Sequence, residues 1–210
     1  MTVMDSLTAD GPRRAGLDEV NALAHLAAEA CGELGITAWL VPFALERARI
    51  LPGYFRILLE HAMVHGVVYA LPDLSGVAGW LPAGSPDVLD HDQRIAGVCG
   101  VATDRFRTLD TLMTERRPSE PPHDHLVLLA VHPDRQHTGL GSLLLAHRHR
   151  VLDALNQSSY LEAPTMRAAR LFARHGYRHS SAPFGPADCA ASLWPMWRDT
   201  NPTQPTRPRS

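Results

Sequence analysis

The sequence predicts a mixed α/β (α+β) domain, and three features carry that expectation. An apolar strand runs into a glycine-bearing loop that opens a helix, a short strand pair is joined by a Pro-Asp turn, and helical apolar spacing precedes both. With 45% hydrophobic and 20% charged residues, a chain of 210 can bury one substantial core. No internal repeat or long linker divides it, so one domain is expected over 15–199. The segments 1–14 and 200–210 are polar and Gly/Pro-punctuated and are expected to be mobile.

In chain order, Val20, Leu23, Ala24, Ala27 and Ala30 fall at helical spacing, which predicts a helix from Asp18 to Leu34 with Asp18 as its N-cap. A second helical pattern from Phe43 to His65 is broken at Pro52–Gly53, so two helices are expected there. Gly66 to Leu71 and Gly76 to Leu81 flank Pro72–Asp73 and predict an antiparallel hairpin. Arg94 to Met113 reads as another helix, and the Pro-rich stretch from Arg116 to Asp124 resets the chain. The apolar run Leu126 to Val131 is expected to be a central strand, followed by a loop and a helix to about Leu155.

Composition excludes several function classes. A formal net charge of -2 gives no general attraction to nucleic acid or an anionic membrane. Cys31, Cys99 and Cys189 lack metal or redox spacing, and the twelve histidines come without HExxH, so no metal site is expected. No apolar run approaches the roughly 18 residues that span a bilayer. A cytoplasmic protein, monomeric or homodimeric, is expected.

The chemistry concentrates in Gln136-His137-Thr138-Gly139-Leu140-Gly141-Ser142, between the central strand and its helix. Glycines at a helix entrance allow close backbone approach, and the unpaired N–H groups of the first turn suit a phosphate. An ordinary glycine-rich turn would show the same lone GxG. A dinucleotide fingerprint is the competitor, with Glu162 near the ribose-binding distance, but Leu144 replaces its third glycine. No GxxxxGK[ST] occurs.

The pattern Gln136-x-x-Gly139-x-Gly141 after an apolar strand closely resembles the acetyl-CoA motif of the GNAT superfamily of acyltransferases. The agreement continues through Ser159-Tyr160-Leu161-Glu162, the helix Arg167 to His175, and His175-Gly176-Tyr177 in place of Leu-Gly-Phe. Within the superfamily the layout looks most like puromycin N-acetyltransferase and related antibiotic-modifying enzymes. The resemblance implies a mostly antiparallel mixed sheet whose two central parallel strands splay into a V. It also implies acetyl-CoA as co-substrate and a small-molecule amine as acceptor.

Carried over by motif, the resemblance assigns the backbone of Leu129, Ala130 and Val131 to pantetheine and polarisation of the acetyl oxygen. It assigns Gln136 and the amides from His137 to Ser142 to pyrophosphate. Thr165 stands where the family often has asparagine, and Phe172 where a tyrosine often protonates the departing thiolate, both beside the cofactor. These two departures leave a second reading, a degenerate GNAT domain that binds acyl-CoA as sensor or scaffold. A base must deprotonate the acceptor amine, and His125, with Glu162 as runner-up, is expected to serve. Strand parity would put residues 125, 127, 129 and 131 on one face, along the pantetheine wall. Tyr54, His61, His65 and Trp80 are expected to line the acceptor site.

Overall fold

The computed structural model describes residues 11–200. Two helical layers cover a seven-stranded sheet of order β1-β2-β3-β4-β5-β7-β6. The strands are β1 (Arg13–Arg14), β2 (Val67–Ala70), β3 (Gly76–Pro82), β4 (His123–Val131), β5 (Ser158–Ala163), β6 (Arg178–His179) and β7 (Trp194–Arg198). One face is covered by α1 (Val20–Cys31), α2 (Gly35–Leu40), α3 (Ala44–His65), α4 (His91–Cys99) and α5 (Thr103–Arg116). The other is covered by α6 (Leu140–Ala154) and α7 (Met166–Arg174).

Among the described residues, only β4 and β5 pair in parallel, over three positions, His123↔Ser158, Asp124↔Ser159 and His125↔Tyr160. Beyond them Leu126–Val131 stays paired to β3 and Leu161–Ala163 to β7 but not to one another, so a V-shaped notch opens at the middle of the sheet. The hairpin, the central strand, the helix behind its loop, and the following strand and helix all form where the residue patterns place them.

Several helix boundaries differ from the sequence expectation, each for a local reason. Asp18 caps no helix: Leu17–Glu19 is a 3-10 turn, and the Glu19 carboxylate accepts the Gly16 N–H at 2.9 Å and Arg13 Nη1 at 2.8 Å. The α1 helix ends at Cys31, and the short α2 follows it. Arg13–Arg14, read as part of a mobile segment, pairs with Tyr69 and Ala70 at the sheet edge. The expectations for residues 1–10 and 201–210 lie outside the described residues.

The α3 helix is continuous through Pro52. Proline forfeits one hydrogen bond, but Ile50, Leu51 and Phe55 bury around it. At Gly53 a Cβ would stand 2.6 Å from Val98 Cγ1, so the glycine admits α4 onto α3. Packing from both sides thus overrides the local break. Conversely, the single helix expected over Arg94–Met113 is two, because Gly100 takes φ +52 and Thr103 Oγ1 donates to its carbonyl at 2.6 Å.

Candidate active site

The notch is built by a bulge in β4. Gly79 faces Leu128 and Trp80 faces Leu126, leaving Val127 as the extra residue between two paired positions. Side-chain direction therefore flips along β4. Leu126, Leu129 and Val131 turn to the α6/α7 core, whereas Val127, Leu128 and Ala130 turn to the α1–α5 core. The sequence expectation that residues 125, 127, 129 and 131 share one face is corrected: alternation holds only without a bulge. His125 and Val127 line a cavity on the α3/α5 side, and Leu129 and Val131 face the start of α6.

At the closed end of the notch, His125 Nε2 lies 2.7 Å from Glu162 Oε2, with both side chains 3% exposed. Parallel pairing brings them together, since His125 is the last β4 residue paired to β5 and Glu162 lies two residues beyond its partner. Burial pushes the Glu162 carboxyl up, but His125, Arg117 and the Tyr160 hydroxyl outweigh it and hold the group below its ordinary range. The carboxylate is thus ionised at neutral pH. It accepts the Nε2–H of His125, which leaves Nδ1 as the basic ring nitrogen.

The cavity beside His125 has a volume of about 600 Å³. Tyr54 and His61 from α3 line it, as do Asp110 and Met113 from α5, and Arg117 beyond that helix. Burial and the neighbouring His65 lower the His61 imidazole below its ordinary range. Two residues expected at this site lie elsewhere. Trp80 is fully buried on the opposite face of the sheet, edge-on to His149 at 6.0 Å, because its β3 position points to the α6 side. His65 is exposed, stacks on His61 at 4.7 Å, and is absent from the cavity wall.

The glycine loop ends in an uncapped helix. Gly139 is the α6 N-cap at φ +90, a conformation that favours glycine, and no side chain caps the first turn. The N–H groups of Leu140, Gly141 and Ser142 therefore have no intrahelical acceptor. A Cβ on Gly141 would meet Leu171, Leu129 and Val131 only at 3.7–3.9 Å, so Gly141 sits at the mouth of the notch. Gln136 Nε2 donates to the Val131 carbonyl at 3.2 Å, so its amide braces the strand-to-loop turn. The Arg167 guanidinium lies against the His137 ring, Nη2 to Nδ1 3.0 Å, placing a cation beside the loop that the sequence reading did not single out.

Thr165 and Phe172, expected beside the cofactor, have other partners. Thr165 Oγ1 accepts the Ala168 N–H at 3.0 Å as the α7 N-cap. Phe172 is buried in the α6/α7 core, edge-on to Tyr177 at 5.8 Å, because the amphipathic α7 turns it inward. Sequence reading also missed Asp110 and Arg117, which join the cavity only through tertiary packing.

Residues 87–179 match the family model described as Acetyltransferase (GNAT) domain, a stretch containing β4, the glycine loop, α6, β5 and α7. Over that stretch the chain is similar to GNAT acetyltransferase domains, and its enzyme class is acetyltransferase. Solved structures share the fold. One, described as histone acetyltransferase HPA2 and related acetyltransferase from Corynebacterium glutamicum, is 23% identical with a TM-score of 0.68, covering 94% of this chain and 99% of that one. Arylalkylamine N-acetyltransferase 2 from Aedes aegypti is 12% identical at TM-score 0.60, covering 90% and 98%. An agmatine N-acetyltransferase is 18% identical at 0.57, covering 90% and 98%. Comparison with curated proteins gave no match.

Proposed function

We propose that the protein moves the acetyl group of acetyl-CoA onto the primary amine of a small molecule, with His125 as general base and Glu162 as the residue that orients it. The carrying observation is the buried His125–Glu162 contact at the closed end of the notch. A protonated amine has no lone pair, so Nδ1 of His125 takes its proton, and the resulting imidazolium is held by the Glu162 carboxylate. The amine nitrogen bonds to the acetyl carbon, the carbon–sulfur bond breaks, and CoA leaves as thiolate, which takes up the proton that the new amide nitrogen loses. A thiol of pKa about 8.5 departs with little acid assistance near neutral pH, which fits a core phenylalanine at position 172.

The chain offers acetyl-CoA a suitable binding surface. The free amides of Leu140–Ser142 and the positive end of α6 suit the pyrophosphate. The β4 edge from Leu129 through Ala130 to Val131, paired to β3 on one side and not to β5 on the other, offers extended backbone to the pantetheine arm. A small acceptor is supported by the cavity on the His125 side, whose volume falls in the range of about 300–1,000 Å³ common for small-ligand sites. The resemblance of the sequence layout to puromycin N-acetyltransferase makes amine-bearing antibiotics reasonable acceptors to screen.

The proposal is tested by kcat/KM against pH for His125→Gln and Glu162→Gln. The first is expected to lose about a hundredfold and its acidic limb, and the second about tenfold, since the imidazole remains but loses its orientation. A His125→Gln enzyme with wild-type rates would end the assignment.

A further inference from the structure

A second cleft, of about 780 Å³, lies at the far end of α6 from the glycine loop, where the α7–β6 turn and the end of β7 pack against that helix. Arg150 stands ten residues beyond Leu140, so about 15 Å of helix separates the two places. Four arginines line the cleft, Arg150, Arg174, Arg178 and Arg198, against two aspartates, in a chain whose formal net charge is -2. Both aspartates already have partners. Asp153 accepts Arg198 Nη2 on both oxygens at 2.8 Å, and Asp199 accepts the Trp197 indole N–H at 2.9 Å. Arg150 reaches the His147 ring at 3.5 Å, and among the described residues the Arg174 and Arg178 side chains make no ion pair and no hydrogen bond. All three are exposed.

Arg198 is the informative member, because it lines the same cleft at only 7% exposure. Its Nε donates to the His175 carbonyl at 3.2 Å and its Nη2 to Asp153, which fixes the guanidinium, yet Nη1 is buried with no hydrogen-bond partner among the described residues. A guanidinium nitrogen withdrawn from water without an acceptor carries a desolvation cost that an anion oxygen relieves. The surrounding field is positive as well. Burial lowers both neighbouring imidazoles, after which Arg198 lowers His149 and Arg174 and Arg198 lower His175. We infer that this cleft is a second anion site, apart from the glycine loop, which takes phosphate, free or as a phosphomonoester, with Arg198 at its floor and Arg174 and Arg178 at its rim. Phosphate suits it better than a carboxylate, since its additional oxygens engage several planar guanidinium forks at once. The inference stands independently of the acetyl-transfer reading.

The probes are inorganic phosphate and phenyl phosphate, titrated into isotope-labelled protein with and without saturating CoA. The indole N–H of Trp197 and the Nε–H of Arg198 report on the cleft by NMR. The expected result is a saturable shift of both signals, present with CoA bound, that chloride at equal ionic strength does not produce. Arg174→Gln/Arg178→Gln, two exposed substitutions that leave the Arg198–Asp153 pair in place, should weaken phosphate binding at least about tenfold. Tighter binding of phenyl phosphate assigns the site to a phosphate carried on a larger molecule and equal affinities assign it to free phosphate, and either result supports the site. A shift that chloride reproduces, or an affinity unchanged in the double variant, would overturn the inference. So would phosphate binding that disappears when CoA is added, because the phosphate would then occupy the cofactor loop.

Discussion

His149 lies under Trp80 at 6% exposure, its Nε2 3.1 Å from the Tyr177 hydroxyl, which also sits 2.8 Å from Ser159 Oγ. Burial, with Arg198 and His175 adding to it, pushes this imidazole down to about 3. In the unfolded chain it titrates near ~6.5. Between those values the unfolded state binds the proton and the native state does not. The stabilisation is therefore complete above the upper value and is lost as pH falls toward the lower. His123, His147 and His175 shift in the same direction, each with burial as the leading cause. Urea unfolding from about pH 6 to about pH 4 should show a stability slope that His149→Gln reduces by about 1 kcal/mol per pH unit. Identical slopes would contradict a neutral buried imidazole. At this scale the sequence marked His125, Glu162, Tyr54 and His61, but could not tell Trp80 from a cavity residue, because one strand position decides which face a side chain takes.

The elements that carry the cofactor motif were legible because their signals are local. An unbroken apolar run, two glycines and a helical period suffice to read β4, the loop and α6. What stayed hidden depends on packing. Pro52–Gly53 looks like a helix break and becomes the crossing point of α3 and α4, and Gly100 splits a pattern that reads as one helix. The bulge at Val127 has no sequence signature, yet with it His125 faces the cavity beside α3 and α5 while Leu129 and Val131 face the α6 end of the notch. The loop itself can be tested. Gly139→Asp plus Gly141→Asp sets carboxylates at the free amides of α6 and should cut acetyl-CoA affinity by roughly thirtyfold or more, about 2 kcal/mol. Gly141→Asp alone should fold normally, because a Cβ there meets only ordinary contacts, whereas Gly139 at φ +90 accepts a side chain only with backbone strain, although nothing lies within 4 Å; the single Gly141→Asp variant therefore separates loss of the phosphate site from loss of fold. Unchanged affinity would remove the loop from the cofactor site.

The whole molecule joins these parts at one point. The helices on one face close the cavity that we propose holds the acceptor, the helices on the other present the glycine loop, and the β4/β5 fork joins the two sides through His125 and Glu162. Among the described residues no helix is long and apolar enough to cross a membrane, and no group of three or more potential ligands could hold a metal ion. The fold class and the fork were readable through the resemblance to known acetyltransferases. The charge of the acceptor cavity was not, since Asp87, Asp110 and Arg117 meet only when α4 and α5 pack over the sheet. The most direct measurement is release of free CoA thiol from acetyl-CoA across an amine panel, with the acetylated product identified by mass. The account predicts thiol release that depends on the amine and matches acetylated product one for one. Tight acetyl-CoA binding with no amine-dependent release would contradict it and leave a domain that binds acetyl-CoA without turning it over.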